Sequence, residues 1–143
     1  MDTRGELYTH DEFRTIQSLP ENGDRILELY AGEIIEKMSD FAPSAIASTI
    51  SFYFKKYLLD YPVGYVTGKG GGYRISEDFV FNPDVGYITK SRLPHLPAHE
   101  APVAPSLAIE IRSTDDRGTA LREKAAIYQI GRASCRERVS SPV

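Results

Sequence analysis

Two segments with helical apolar spacing bracket a series of short strand-like runs, and this order limits the fold more than any other feature. In Asp40–Asp60, residues Ile46, Ile50, Tyr53, Phe54, Tyr57 and Leu58 recur at helical spacing. They give one apolar face that needs a partner. Thr114–Tyr128 carries Ala120, Lys124 and Ile127 at i, i+4 and i+7, so a lysine shares the packing face of that helix. A third, short helix is predicted from Thr9-His10-Asp11-Glu12, which has the form of a capping box. It should run roughly to Ser18.

The remaining runs read as strands. Arg25–Tyr30 and Glu33–Lys37 flank Ala31-Gly32, a hairpin turn in which glycine accepts positive φ. Tyr65–Thr67, Tyr73–Ser76, Phe79–Phe81 and Val85–Thr89 follow, interrupted by Gly68–Gly72 and by Asn82-Pro83. Ser91–Pro105 is proline-rich and is predicted to be a loop. Leu107–Ile111 is a strongly apolar strand. The pattern predicts an α/β fold, a central mixed β-sheet flanked by helices, in one domain over residues 1–130.

Residues 131–143 read differently. They hold three arginines within seven residues, the lone cysteine Cys135 and no apolar period. We expect this tail to be non-native or disordered, and the domain to be incomplete at its C-terminus. A shortened chain of this kind is also expected to be at risk of inactivity.

Net charge is −3 at pH 7, which excludes nucleic-acid binding by bulk positive charge; any such contact needs a local patch. Lys55, Lys56, Lys69 and Arg74 could supply one, although ordinary solvated side chains explain them as well. One cysteine rules out a disulfide framework. No apolar run approaches the ~18 residues of a membrane span, and the start of the chain lacks a signal-like segment. A cytoplasmic protein without membrane attachment is expected. His95 and His99 lie four apart in the proline-rich loop but have no further ligand in view.

Three residues stand out chemically. Pro83 fixes the backbone just before Asp84, presenting that carboxylate at the start of a strand. A turn carboxylate is the plain alternative. Alternation along the 107–111 strand sets Leu107, Ile109 and Ile111 on one face and Ala108, Glu110 and Arg112 on the other. A carboxylate in such a strand is costly unless paired or metal-bound; an exposed Glu110–Arg112 ion pair is the alternative. Lys124 could equally be a rim lysine whose stem snorkels. Taken together, two carboxylates from successive strands suit Mg²⁺ or Mn²⁺ through oxygen. A lysine beside them could orient water or offset developing negative charge.

These segments resemble the Uma-type restriction endonuclease family, within the PD-(D/E)XK nuclease superfamily. The resemblance spans about Thr9 to Tyr128. It rests on the opening helix, on Leu27–Ile34, on Asn82-Pro83-Asp84-Val85, on Leu107–Ile111 and on Glu123–Tyr128. It implies a restriction-endonuclease-like core and Mg²⁺-dependent (or Mn²⁺-dependent) hydrolysis of DNA phosphodiester bonds. By the same likeness Asp84 and Glu110 are metal ligands, with the Ile111 carbonyl a third, and Lys124 is catalytic. The superfamily's usual lysine position is Arg112 here, and arginine cannot act as a base at neutral pH. Glu28 and Arg112 are accessory candidates. The position early in the long helix where relatives often carry histidine is Ala47. Two alternatives to a nuclease remain: a non-catalytic nucleic-acid-binding or interaction domain, and a hydrolase of another phosphoester. A homodimer is compatible with a duplex substrate.

Overall fold

The computed structural model describes residues 5–112 and 118–138. The chain begins with α1 (His10–Gln17), capped as the sequence predicts: Thr9 Oγ1 accepts from Glu12 N–H, and Glu12 Oε1 accepts from Thr9 N–H, each at 3.2 Å. After a 3₁₀ turn at Pro20–Asn22 come β1 (Leu27–Tyr30) and β2 (Glu33–Glu36). Ala31 and Gly32 both take positive φ, 51° and 82°, the conformation a two-residue hairpin requires. Then follow α2 (Phe41–Asp60), β3 (Gly64–Thr67), β4 (Tyr73–Ser76), β5 (Phe79–Phe81), β6 (Val85–Thr89), β7 (Leu107–Ile109) and α3 (Gly118–Arg138).

The α/β architecture is as expected, with a refinement in its sheet. The strands form two antiparallel sheets, ordered β2-β1-β5-β4 and β3-β6-β7. Parallel pairing among the described residues is limited to the isolated bridge Tyr73–Ala101. The chain passes from the first sheet to the second through Asn82-Pro83-Asp84, between β5 and β6.

Two apolar clusters hold these layers. Phe13 of α1 packs with Leu27, Leu29 and Val80. Tyr73, Ile75, Phe81, Ile88 and Leu93 pack with Tyr128 of α3. The 91–105 segment is a loop, but Leu93, Ala101 and Ala104 are buried in the second cluster. Glu100 ties that loop to α1, accepting from Arg14 at 3.0 Å and meeting His10 Nε2 at 2.5 Å. Burial alone would raise its carboxyl pKa. Hydrogen bonds from its own amide, Arg14 and His10 outweigh that and hold it below the usual value.

Helix α3 and strand β7 end elsewhere than the sequence expectation places them. The predicted helix start near Thr114 lies outside the described residues. At its other end α3 continues past Tyr128 to Arg138. Gly131 is buried inside this helix; a Cβ there would stand 2.5 Å from Ile75 Cγ2, so a close helix–sheet approach requires glycine. The segment set aside as a tail is therefore helical as far as Arg138. Strand β7 stops at Ile109, and Glu110 lies just past its end rather than within it.

Helix α2 packs on β3 and β6 through half-buried Ala47, Ile50, Phe54 and Leu58. Phe54 stacks on Tyr87 with ring centroids 5.6 Å apart. No residue of α2 is fully buried. Among the described residues no helix is long and apolar enough to cross a membrane.

Candidate active site

The register of the second sheet brings Asp84 and Glu110 together. Val85 pairs with Ile109 across β6 and β7, so one step outward Asp84 stands across from Glu110. Directly opposed residues of an antiparallel pair share a face. Asp84 is fixed there by Ile111 N–H, which donates to Oδ2 at 2.7 Å. Ile111 thus enters the site through its amide.

One lysine bridges the two carboxylates. Lys37 Nζ lies 2.7 Å from Glu110 Oε2 and 3.3 Å from Asp84 Oδ1. It also donates to the carbonyl of Asn82 at 2.6 Å. Lys69 Nζ approaches Asp84 Oδ1 at 3.6 Å and donates to Met38 O at 2.9 Å. It therefore joins the acidic site, away from the outward patch considered for it from sequence.

Lys124 reaches the site from α3. Its Nζ lies 2.9 and 3.0 Å from the two oxygens of Glu28, and 3.1 Å from Glu110 Oε1. It also sits 4.8 Å from the centre of the Phe81 ring, a favourable cation–π position. Glu28 is buried on β1, and its Oε2 accepts from Asn82 N–H at 2.7 Å. Glu110 Oε1 takes a further hydrogen bond from the Tyr128 hydroxyl at 3.1 Å.

The result is a mostly buried network of three carboxylates (Glu28, Asp84, Glu110) and three ammonium groups (Lys37, Lys69, Lys124). Burial alone would lower the Lys124 pKa, but Glu28 and Glu110 outweigh it and raise the value above 10.5. Lys124 is therefore a fixed positive charge at neutral pH and not a proton acceptor. Burial, with the adjacent carboxylates, pushes the Tyr128 hydroxyl far above its ordinary value. It stays a hydrogen-bond donor.

All the sequence-predicted residues except Arg112 line or reach one cleft of about 630 Å³, into which Glu28, Asp84, Glu110, Ile111 and Lys124 all face. Arg112 is exposed where the chain leaves β7. Sequence reasoning missed Lys37, Lys69 as a site residue, and Tyr128. Lys37 comes from the end of the β1–β2 hairpin, 73 residues from Glu110, and nothing in its neighbourhood in sequence marks it. The Gly70–Gly72 segment and the loop bearing His99 face a second cleft of about 420 Å³.

Whether this site suits a divalent ion depends on its donors. Among the described residues no three His, Cys, Asp or Glu side chains form a ready ligand set. Two carboxylates do converge, and Asp84 Oδ1 and Glu110 Oε2 both reach one ammonium nitrogen. They can therefore share one cation. The donors are all oxygens, which match hard Mg²⁺ or Mn²⁺ rather than a thiolate-seeking metal. Two carboxylate oxygens, with no third acidic side chain beside them among the described residues, suit such an ion, at a position that the Lys37 ammonium fills here.

Comparison with known proteins gives a consistent result. No curated protein matches the chain. Four chains of solved structures do. One is described as a putative nuclease belonging to DUF820 from Anabaena variabilis. It is 25% identical, with a TM-score of 0.68 over 84% of this chain. The match covers 66% of that structure's chain, just under two thirds of its length. The family model described as "Putative restriction endonuclease" matches residues 11–137. By that match over most of its length, the chain belongs to the Uma2 family.

Proposed function

We propose that the chain is a divalent-metal-dependent endonuclease that hydrolyses phosphodiester bonds in DNA, in the cytoplasm. The observation that carries this reading is the convergence of Asp84 and Glu110 on a single cation position, with a second fixed cation on the far oxygen of Glu110. Family membership and the nuclease neighbour support it.

In this reading Asp84 and Glu110 hold the ion, with the Ile111 carbonyl as a third ligand. A bound Mg²⁺ or Mn²⁺ lowers the pKa of water and offsets charge on a phosphodiester. Lys37, whose ammonium lies between the two carboxylates, would have to give up that position to the ion. Lys124 remains charged and meets the negative charge that develops on the phosphate oxygens. Glu28 positions Lys124 and leaves the reaction itself to the other residues. Tyr128 holds the Glu110 carboxylate in place.

A second reading has an observation in its favour. Each carboxylate of the site is already neutralised by lysine, as would suit a domain that keeps the fold and binds nucleic acid without cutting it. A substrate panel separates the readings. The purified chain is incubated with plasmid DNA, single-stranded DNA, RNA and a small phosphodiester, with Mg²⁺, Mn²⁺ or a chelator. The proposal expects DNA cleavage only with divalent ion. DNA binding without cleavage supports the second reading. Cleavage confined to RNA or the small ester points to another phosphoester hydrolase.

A further inference from the structure

Of the three lysines in the network, Lys37 is the one whose ammonium meets both carboxylates assigned to the ion. It lies 2.7 Å from Glu110 Oε2 and 3.3 Å from Asp84 Oδ1. Lys124 is held differently: both oxygens of Glu28 and the Phe81 ring keep it in place, and neither belongs to that pair. Lys69 stands 3.6 Å from Asp84 alone. An ion on Asp84 and Glu110 therefore takes from Lys37 every carboxylate it meets among the described residues. What remains to it is the neutral carbonyl of Asn82, at 2.6 Å. The backbone beside it need not move. Lys37 N–H donates to Ile26 O at 2.8 Å, so the residue stays registered on the hairpin while its flexible stem rotates. Ile35 and Met38 line the same cleft and are exposed, so the stem starts at the cleft's open rim.

Charge gives the released ammonium a task. Among the described residues lining this cleft, six carboxylates face three ammonium groups. Without an ion that excess repels a polyanion such as DNA. We propose that Lys37 is a substrate-binding residue released by the ion. In the ion's absence it holds the two carboxylates together; with the ion bound it turns its ammonium to a phosphate of the substrate. The proposal rests on the nuclease reading and adds the regulation of that site, since metal loading and DNA binding are then coupled through one side chain. Such coupling is reciprocal, so DNA tightens the ion as much as the ion tightens DNA.

Lys37→Met removes the charge and keeps an unbranched stem, and its two effects should have opposite signs. Mn²⁺ affinity without DNA, followed by electron paramagnetic resonance, should rise about tenfold or more, because no cation competes for the carboxylates. Affinity for a short fluorescent duplex should fall several-fold, measured by anisotropy with Ca²⁺ on the oxygen ligands. The salt dependence of that binding should shrink by about one phosphate contact. A damaged fold lowers both affinities and so gives a different pattern. In that event brief acetylation of the parent chain decides, read by peptide mass spectrometry. Mg²⁺ should raise modification of Lys37 several-fold and leave Lys124 protected. Unchanged or weaker Mn²⁺ binding by a folded Lys37→Met chain overturns the proposal, as does duplex affinity in Ca²⁺ equal to the parent's, or acetylation of Lys37 that Mg²⁺ leaves unchanged. In each of these cases Mn²⁺ binding and DNA cleavage by the parent chain leave the nuclease reading standing. Absence of Mn²⁺ binding in parent and variant alike overturns both.

Discussion

Replacing Asp84 by Asn, or Glu110 by Gln, should lower metal-dependent DNA cleavage by at least about a hundredfold, on the scale of effects seen when charged groups that stabilise a transition state are removed. Both changes keep size and hydrogen-bonding capacity. The amide oxygen introduced by Asp84→Asn could still accept from Ile111 N–H, which now donates to Asp84 at 2.7 Å. The amide oxygen introduced by Glu110→Gln could still accept from the Tyr128 hydroxyl. What each change removes is one of the two negative charges that converge on the Lys37 position. Initial rates of plasmid nicking at saturating Mg²⁺ measure the effect, with circular dichroism to establish that the fold persists. Rates within a few-fold of the unsubstituted chain would sink the assignment. Both variants are needed, because a role for only one carboxylate would point to a different ligand set.

The largest stability effect should come from Glu28→Ala, at about 3–5 kcal/mol, the range for breaking a buried ion pair by removing one partner. Glu28 is buried and has two obligations. It holds both contacts to Lys124 and accepts from Asn82 N–H. Its loss leaves Lys124 paired with Glu110 alone and the Asn82 amide without its acceptor. Glu28→Gln keeps an acceptor for that amide and should cost roughly half as much, since an unsatisfied buried donor by itself costs about 1–3 kcal/mol. Urea unfolding checks this through a lower midpoint at unchanged slope. Equal stability of Glu28→Ala and the parent would contradict the network. Its pH dependence follows in sign. Lys124 binds its proton more tightly folded than unfolded, because Glu28 and Glu110 outweigh burial. Its contribution is therefore complete below the ordinary lysine value of 10.5 and is lost as pH rises through the higher folded value.

Much of this site was legible in the sequence because it is built on local rules. Pro83 marks where the chain enters β6, and the apolar run at 107–109 marks its neighbour. The pairing of Val85 with Ile109 then follows from two adjacent antiparallel strands. Lys124 was legible from helical spacing. Lys37 and Lys69 were not, since both arrive by folding across long stretches of chain, and a lysine in a hairpin or glycine-rich turn looks like any solvated one. The reading of β7 was too long, because apolar alternation continues to Ile111 while the Asp84 carboxylate takes the Ile111 amide out of the ladder. Helix α3 was read too short for the opposite reason. Past Tyr128 the apolar period fades, yet alanine, arginine and glutamate are good helix formers, and Gly131 lets the helix lie close on Ile75.

The division into two sheets was also hidden. Strand content and order were clear from turn residues, but which strands share a ladder depends on contacts between distant segments. Asn82-Pro83-Asp84, read as a break within one sheet, is the crossing between two. At that crossing the Asn82 amide donates to Glu28 of the first sheet, two residues before Asp84, and Lys124 of α3 bridges Glu28 to Glu110.

The most direct measurement is Mn²⁺ binding followed by electron paramagnetic resonance, on the parent chain and on Asp84→Asn. The account predicts a single bound ion per chain, competed by Mg²⁺, with affinity lost in the variant. No binding by the parent chain, or equal binding by the variant, would contradict the claim that Asp84 and Glu110 form a metal centre.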